Sequence, residues 1–144
     1  MARYSTGGTA AGAGIAARPI AGVLSTATVT PILREVQMWN TTGTPCTYRV
    51  VNLTGGTPGG GLTERKHRRN APDSVCVANG LWTADATIGE DTGYRIVVGA
   101  GAGNAGIITF GDSGLEGELG ATSALGLVPV GTGQVCEFVI VWDL

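Results

Sequence analysis

Apolar and polar residues alternate along much of this chain with a period of two, the pattern of β-strands that are buried on one face. The clearest segment is residues 134–144, where Phe138, Ile140 and Trp142 share one face and valines and acidic residues share the other. β-branched and aromatic residues favour strands because they fit a pleated, packed surface. We predict a strand here, in the centre of a sheet, with these three side chains in the core.

Seven further segments have the same character and are bounded by Gly, Asn, Asp or Pro, which are common in turns. They are residues 20–24, 32–40, 46–54, 75–78, 94–98, 107–110 and 125–130. No long segment keeps a helical period, and the one helix candidate is residues 63–69, which Pro72 follows. Short strands with turn-rich connections predict an all-β protein with a single β-sandwich or jelly-roll-like domain. We expect its core to include Val36, Val50 and Ile96.

Residues 1–17 differ from the rest because they are mostly Gly, Ala, Ser and Thr. Such a segment buries too little apolar surface to offset the entropy of ordering by itself. Two interpretations are open: a disordered tail, or an extended N-terminal arm that orders on a neighbouring subunit with Tyr4 and Ile15 as anchors. We divide the chain into a flexible or partner-bound arm, residues 1–17, and a β domain, residues 18–144.

Charged residues make up only 14% of the 144 residues, against roughly 25% in a typical soluble domain. No unbroken apolar stretch is long enough to span a bilayer, so we expect no membrane association. A surface with few charges is typical of proteins that neighbouring subunits cover. Val139 and Val141 on the outer face of the last predicted strand also require a cover. We therefore expect a homo-oligomer, with a trimer as the expected state.

The charges are unevenly distributed along the chain. Residues 1–72 hold eight of the nine cations and two carboxylates, whereas residues 73–144 hold one cation and nine carboxylates. Two interpretations are open. Either the halves intermix in one fold, so that their charges alternate, or a basic part of one subunit meets an acidic part of another.

The run Arg65-Lys66-His67-Arg68-Arg69 is the one dense cluster of charge. Cations can contact phosphates, but aromatic residues for base stacking are absent nearby in the sequence. We expect a solvated loop or a contact with an acidic protein surface, and no direct binding of nucleic acid. The candidate partner-binding residues are Arg3, Tyr4, Ile15, Arg18, Arg65, Lys66, Arg68 and Arg69.

Two short motifs match a catalytic motif and a cofactor-binding motif, but the residues or elements that such sites also need are absent from the sequence around them. Gly111-Asp112-Ser113-Gly114 matches the nucleophile motif of serine proteases, but a triad needs a His held by a carboxylate. The single histidine, His67, lies among cations. Residues 101–106 match GxGxxG, but a strand is predicted next, where a dinucleotide site needs a helix. We expect a turn and a loop, no cofactor, and no enzymatic activity.

Cys46, Cys76 and Cys136 are odd in number, widely spaced and without a CxxC pair. The residues after Met1 lack the pattern of a secretory signal. We therefore expect three free, mostly buried thiols in a protein made in cytoplasm. Zinc needs four ligands, which this sequence does not group together, so we expect no metal site.

Several segments together resemble small bacteriophage virion proteins, especially capsid decoration (cement) proteins. They are residues 1–17, Cys46-Thr47-Tyr48-Arg49-Val50-Val51, Gly93-Tyr94-Arg95, Ile107-Ile108-Thr109-Phe110-Gly111 and Phe138-Val139-Ile140-Val141-Trp142-Asp143. The resemblance implies a sandwich or jelly-roll-like protein without catalytic residues. Such a protein binds the outside of an icosahedral shell, commonly as a trimer, and stiffens it against internal DNA pressure. The implied partners are further copies of the chain and the major capsid protein. The implied location is the capsid surface of the virion, after synthesis in the host cytoplasm.

Two other functions fit the same sequence. One is a tail, fibre or head-surface protein that binds host glycans. The other is a trimeric β-sandwich enzyme or binding module outside any virion, whose site would have to lie between subunits.

Overall fold

The computed structural model describes residues 1–101 and 104–144. These residues form eleven strands and no helix. The strands are β1 (Arg3–Thr9), β2 (Ala21–Leu24), β3 (Ile32–Asn40), β4 (Cys46–Thr54), β5 (Arg65–Lys66), β6 (Ala78–Gly80), β7 (Thr87–Val98), β8 (Ala105–Thr109), β9 (Leu115–Glu116), β10 (Ser123–Pro129) and β11 (Cys136–Asp143). The described residues thus include no helix that is long and apolar enough to cross a membrane.

The strands form two antiparallel sheets that pack together. Sheet I has the order β5-β1-β11-β3-β8, with the short β9 also paired to β3, and sheet II has the order β6-β2-β10-β4-β7. The predicted all-β sandwich is therefore confirmed. β11, which follows the clearest alternation in the sequence, lies in the centre of sheet I between β1 and β3.

The agreement between predicted and observed strands follows the strength of the alternation. β3 and β4 have the predicted bounds, residues 32–40 and 46–54. Successive side chains of these strands point alternately into the core and to the outer face of the sheet, so the sequence pattern marks where each strand begins and ends. β6 lies at Ala78–Gly80 instead of residues 75–78, since its backbone partner β2 is opposite that segment. Short strands take their bounds from the partner strand more than from their own residues.

The main core fills the space between the two sheets. It contains the six predicted residues, each at most 2% exposed: Val36, Val50, Ile96, Phe138, Ile140 and Trp142. Tyr4 of β1 belongs to the same cluster and stacks on Trp142, with ring centroids 5.9 Å apart. Burial of one large apolar side chain contributes about 1.5–3 kcal/mol. This shared cluster holds the sheets together.

A second, smaller cluster lies on the outer face of sheet II. Val51 and Leu53 of β4 point away from the main core, and they pack with Trp82 and Ala86 from the segment before β7. Trp82 is 1% exposed, and its backbone N–H donates to the Pro19 carbonyl at 3.0 Å. This part of sheet II is therefore covered by its own chain.

The extended N-terminal arm is not confirmed. Within the predicted arm 1–17, Arg3–Thr9 form β1, which pairs with β11 along its whole length. Tyr4 is 1% exposed. Hydrogen bonds to a central strand and the burial of this ring offset the entropy that the small residues lose on ordering. Residues 3–9 therefore lie in the sandwich itself.

The helix candidate, residues 63–69, is a further correction. Arg65–Lys66 form β5 on the edge of β1. The Thr63 carbonyl accepts a hydrogen bond from the Thr6 hydroxyl at 2.9 Å. The open edge of β1 offers backbone partners, whereas an isolated helix shorter than about 12 residues is marginal in water. The strand edge therefore prevails over the local helix signals.

Candidate functional site

The structure separates the eight predicted partner-binding residues into three groups. Arg3, Arg65 and Lys66 lie on the paired strands β1 and β5, and Arg68 and Arg69 follow in the next loop. Tyr4 lies in the core, where its hydroxyl donates to the Pro72 carbonyl at 3.0 Å. Ile15 and Arg18 lie elsewhere, in a turn of their own.

The turn that holds Ile15 and Arg18 packs beside the covering segment of sheet II. The two residues bond reciprocally through their backbones, with N···O distances of 3.2 and 2.9 Å. Arg18 Nε lies 2.6 Å from Asp85 Oδ1, and the Ile15 side chain is 52% exposed. These residues therefore do not join the other cations in one site.

The remaining cations form what we call the basic edge, Arg3 together with residues 65–69. Pairing of β5 with β1 places Lys66 opposite Tyr4, and the His67 backbone N–H donates to the Arg3 carbonyl at 2.9 Å. Lys66 Nζ lies 2.6 Å from Asp73 Oδ1. Arg65, Arg68 and Arg69 are exposed. Within the described part of the chain, these three form no ion pair.

A buried carboxylate anchors the basic edge to sheet I. Asp143 of β11 is 2% exposed and accepts two hydrogen bonds from Arg3, at 2.8 and 2.9 Å. Arg34 Nε donates to the same carboxylate at 2.6 Å. The hydrogen bond from Arg3, reinforced by Arg34, lowers the pKa of Asp143 below its ordinary value, although burial opposes the shift.

Sequence reasoning missed Arg34 and Asp143. The pairing of β11 with β3 is irregular between Val141 and Trp142, and Arg34 lies in the β3 segment opposite this irregularity. Strict alternation cannot predict such a bulge, which redirects side chains. The only available signal was a carboxylate at the end of a strongly apolar strand, where a buried charge requires a partner.

A shallow depression opens where the basic edge meets the chain terminus. It has a volume of about 450 Å³ and is lined by Met1, Arg3, His67, Arg68 and Asp143. Two guanidinium groups and an imidazole border it, and its one carboxylate is already bonded to arginines. Because Arg3 is paired with Asp143, Arg68 is the cation of this depression that remains for an anionic partner group.

Most of the cations of residues 1–72 are paired inside the folded chain. Five cations of residues 1–72 form ion pairs with carboxylates of residues 73–144: Arg3 and Arg34 with Asp143, Arg18 with Asp85, Arg49 with Asp91, and Lys66 with Asp73. The structure thus favours the interpretation in which the halves intermix. The cations left over from this pairing are Arg65, Arg68 and Arg69, all in the basic edge.

Asp91 forms a second arginine–aspartate–arginine group, on β7 of sheet II. Arg95 lies 2.7 Å and Arg49 3.0 Å from Asp91 Oδ2. Hydrogen bonds from Arg95 and from the Gly93 backbone hold the pKa of Asp91 far below its ordinary value. All three side chains are partly exposed, so this group adds little stability despite its short distances.

The outer face of sheet I is the second notable surface, and we call it the open face. Its apolar members are Trp39, Val139 and Val141, which are half-buried, and Ile107, which is 58% exposed. None of them belongs to either buried cluster. Register places Val139 beside Gln37 and Gln37 beside Ile107. The apolar side chains thus extend across three neighbouring strands.

The two glycines of β1 leave a depression at one side of the open face. Gly7, Gly8, Trp39 and Val139 line it, and its volume is about 280 Å³. Gly7 is opposite Val139 on this face, and a Cβ there would lie 3.1 Å from Val139 Cγ2. The open face therefore combines apolar side chains, interspersed with Glu35 and Gln37, with a shallow groove beside β1.

The thiols are buried, as predicted. Cys46 and Cys136 lie between the sheets with their sulfur atoms 3.7 Å apart, and Cys76 is also buried and free. Burial raises the pKa of Cys76 to about 11 and that of Cys136 to about 12. These groups are neutral at physiological pH, which suits a structural role.

The two motifs that match catalytic and cofactor sites occupy a turn and a sheet-to-sheet connection. Gly111 and Gly114 have positive φ angles of 67° and 71°, so the predicted turn after β8 is confirmed, and Ser113 is exposed. The predicted loop over residues 101–106 is confirmed only in part, because Ala105 and Gly106 already belong to strand β8, and Ala102 and Gly103 lie outside the described residues. Among the described residues, no group of three or more His, Cys, Asp or Glu is placed to hold a metal ion.

Comparison with known proteins identifies no relative: no protein family, no curated protein and no solved structure matches this chain.

Proposed function

We propose that this chain is a structural virion protein that binds the outer surface of a phage capsid as a homo-oligomer, with a trimer as the expected state, and stabilises the shell. Its partners are further copies of the chain and the major capsid protein. The observation that carries the proposal is the open face of sheet I. This face is apolar at Trp39, Val139, Val141 and Ile107, whereas Trp82 covers the part of the outer face of sheet II around Val51 and Leu53.

The contrast between the two outer faces supports a protein–protein contact. On sheet II, burying Val51 and Leu53 under Trp82 removes the apolar surface from water within one chain. On sheet I, Ile107 stays 58% exposed, and on sheet II the cover is partial, because Val97 at the end of β7 is 69% exposed. An exposed apolar patch with a polar rim marks an interaction site in soluble proteins. A second copy or a shell subunit would provide the cover.

The strand order supports a capsid-type architecture. We interpret the eight longest or best-paired strands as a jelly roll, because the order β1-β11-β3-β8 in sheet I is matched by β2-β10-β4-β7 in sheet II. Successive strands thereby change sheets repeatedly along the chain. Viral capsid proteins and lectins use this architecture, so the fold agrees with the proposal and does not decide it.

The oligomer is tested by a matched pair of substitutions on exposed strand positions. Ile107 on the open face and Val97 on β7 are 58% and 69% exposed. Ile107→Glu should dissociate the oligomer in light scattering at micromolar concentration, since it places a charge in the contact, whereas Val97→Glu should not. Val97→Glu should keep the wild-type melting temperature, whereas Ile107→Glu should still unfold cooperatively, at a melting temperature that no longer depends on protein concentration. A wild-type protein that is a monomer at this concentration would contradict the proposal.

Attachment to the shell is tested with purified particles that lack this chain. The isolated protein should sediment with the particles and raise the temperature at which they release DNA. Binding to a glycan array without binding to particles would instead support the glycan-binding function.

A further inference from the structure

We propose that the basic edge binds an acidic segment of a partner protein, whose carboxylates pair with Arg65, Arg68 and Arg69. This inference rests on the proposed function, because it names the chemistry of the shell surface that the protein contacts. It concerns the arginine side chains beyond β1, whereas we assign the open face to contacts between copies; the two surfaces adjoin, since Arg3, His67 and Val141 line one depression.

Three arginines of the basic edge carry charge that, within the described residues, no carboxylate of the chain pairs with. The other cations of residues 1–72 are paired with carboxylates of the same chain. Within the described residues, Arg65, Arg68 and Arg69 are exposed and free of such pairs, although the whole chain has a net charge of −2. A concentrated positive patch on an otherwise anionic protein attracts and orients a negatively charged partner.

The fold also holds in place the backbone of the segment that carries these arginines. The segment begins in β5, which is paired to β1, and the His67 N–H is bonded to the Arg3 carbonyl at 2.9 Å. Within the loop, the Ala71 N–H donates to the Arg68 carbonyl at 3.0 Å. The loop ends at Pro72, whose carbonyl accepts the Tyr4 hydroxyl at 3.0 Å. An anchored loop loses less conformational entropy on binding than a free one.

The surroundings of the basic edge favour an acidic protein segment over nucleic acid. The aromatic rings next to the basic edge, Tyr4 and Trp142, are 1% and 0% exposed and stack on each other, so they cannot stack on bases. An acidic protein segment needs no stacking surface, because its carboxylates pair directly with the guanidinium groups.

The binding test uses an oligoglutamate peptide as the probe and the full chain as the receptor. Fluorescence anisotropy compares the wild type, Arg68→Gln and the triple variant Arg65→Gln/Arg68→Gln/Arg69→Gln. Each exposed pair should change the affinity by about twofold to fivefold, so the triple variant should bind at least about tenfold more weakly. Arg95→Gln removes the same charge from sheet II and should leave the affinity unchanged.

Three results would overturn the inference. One is equal peptide affinity of the wild type and the triple variant. Another is tighter binding of oligothymidylate than of oligoglutamate of the same charge. The third is loss of the oligomer in the triple variant, which would assign the basic edge to contacts between copies.

The experiments distinguish a failure of the proposed capsid function from a failure of the inference about the basic edge. A protein that binds oligoglutamate through the basic edge but does not sediment with particles contradicts the capsid proposal alone. A triple variant that sediments with particles as well as the wild type contradicts the inference alone.

Discussion

One buried carboxylate connects the N-terminus, the last strand and the basic edge. Asp143 is 2% exposed and lies between Arg3 and Arg34, which donate to it at 2.6 to 2.9 Å. A charge this deeply buried is tolerated only when partners replace the water it has lost. The two arginines therefore position the carboxylate, and the carboxylate in turn fixes Arg3 beside His67.

We predict that Asp143→Asn lowers the free energy of unfolding by roughly 2–4 kcal/mol, because it leaves two guanidinium groups without their anion. The matched variant Asp85→Asn breaks an ion pair in which Asp85 is 62% exposed, and it should cost less than about 1 kcal/mol. Urea denaturation at neutral pH measures both. Equal losses in the two variants would show that burial of Asp143 has no energetic consequence.

The pH dependence of the stability that Asp143 contributes gives an independent check. The folded protein holds the pKa of Asp143 below the ordinary value of 3.8. Its contribution is therefore fully present above that ordinary value and is lost as the pH falls through the folded-state pKa. The stability difference between the wild type and Asp143→Asn should shrink below about pH 4. A difference that persists in strong acid would contradict this account.

The buried thiols predict slow alkylation and a loss of stability in alkali. Burial raises the pKa values of Cys76 and Cys136 to about 11 and about 12, from an ordinary 9.0. Iodoacetamide needs the thiolate, so mass spectrometry should find these residues unlabelled until urea unfolds the chain. The thiol contribution to stability is complete below pH 9.0 and is lost as the pH rises through 11 and 12. Rapid labelling of the native protein would contradict the burial.

Among the elements, β1 shows how a weak sequence becomes a strand. It pairs with β11 along its length and buries Tyr4 and Thr6, while Gly7 and Gly8 are exposed. Glycine weakens an isolated strand because it loses the most backbone freedom. The partner strand therefore imposes the extended conformation on this segment.

Deletion of residues 2–17 should therefore unfold the domain. The deletion removes Tyr4 from the core and exposes one edge of β11 to water. We expect loss of the cooperative unfolding transition in circular dichroism. Ile15→Ala, at a position that is 52% exposed, should change the free energy of unfolding by less than about 0.5 kcal/mol. A truncated protein that still unfolds cooperatively would show that the domain does not need these residues, as expected of an N-terminal arm.

Gly7 and Gly8 offer a matched test of the packing beside β11. A Cβ at Gly7 would lie 2.8 Å from the Phe138 carbonyl oxygen, whereas one at Gly8 would meet nothing within 4 Å. Gly7→Ala should cost about 1–3 kcal/mol through overpacking. Gly8→Ala should be neutral or stabilise by up to ~1 kcal/mol. Thermal melts of the two variants measure the contrast, and the reverse order would contradict the register of β1.

For the whole molecule, stability depends on side chains that join the two sheets. Phe138 of the central strand is 2% exposed and lies in the cluster that contains Val50 and Ile96 of sheet II. We predict that Phe138→Ala costs about 3–5 kcal/mol through loss of burial and the cavity left behind. Val97→Ala, at a position 69% exposed, should cost less than about 0.5 kcal/mol. Comparable melting temperatures for the two variants would contradict the assignment of faces.

The sequence by itself determined the strands whose side chains alternate strongly. The alternation predicts β3, β4 and β11 from residues 32–40, 46–54 and 134–144. In these segments apolar side chains face the core and more polar ones face outward, so the pattern identifies both the strand and its buried face. The same alternation predicted the core position of Phe138 and Trp142. These properties are local, so neighbouring residues are sufficient to specify them.

Only the tertiary structure decided which segments without such a pattern become strands and which charges meet. The glycine-rich β1 and the cationic β5 are ordered by the edge to which they bond. Arg3, Arg34 and Asp143 come together from three strands far apart in the sequence. Trp82 likewise covers the part of one outer face around Val51 and Leu53, which lie far before it in the sequence. Every residue except proline offers the same backbone donor and acceptor, and any arginine can pair with any carboxylate. The sequence therefore does not specify these partners, which are fixed only once the sheets have formed.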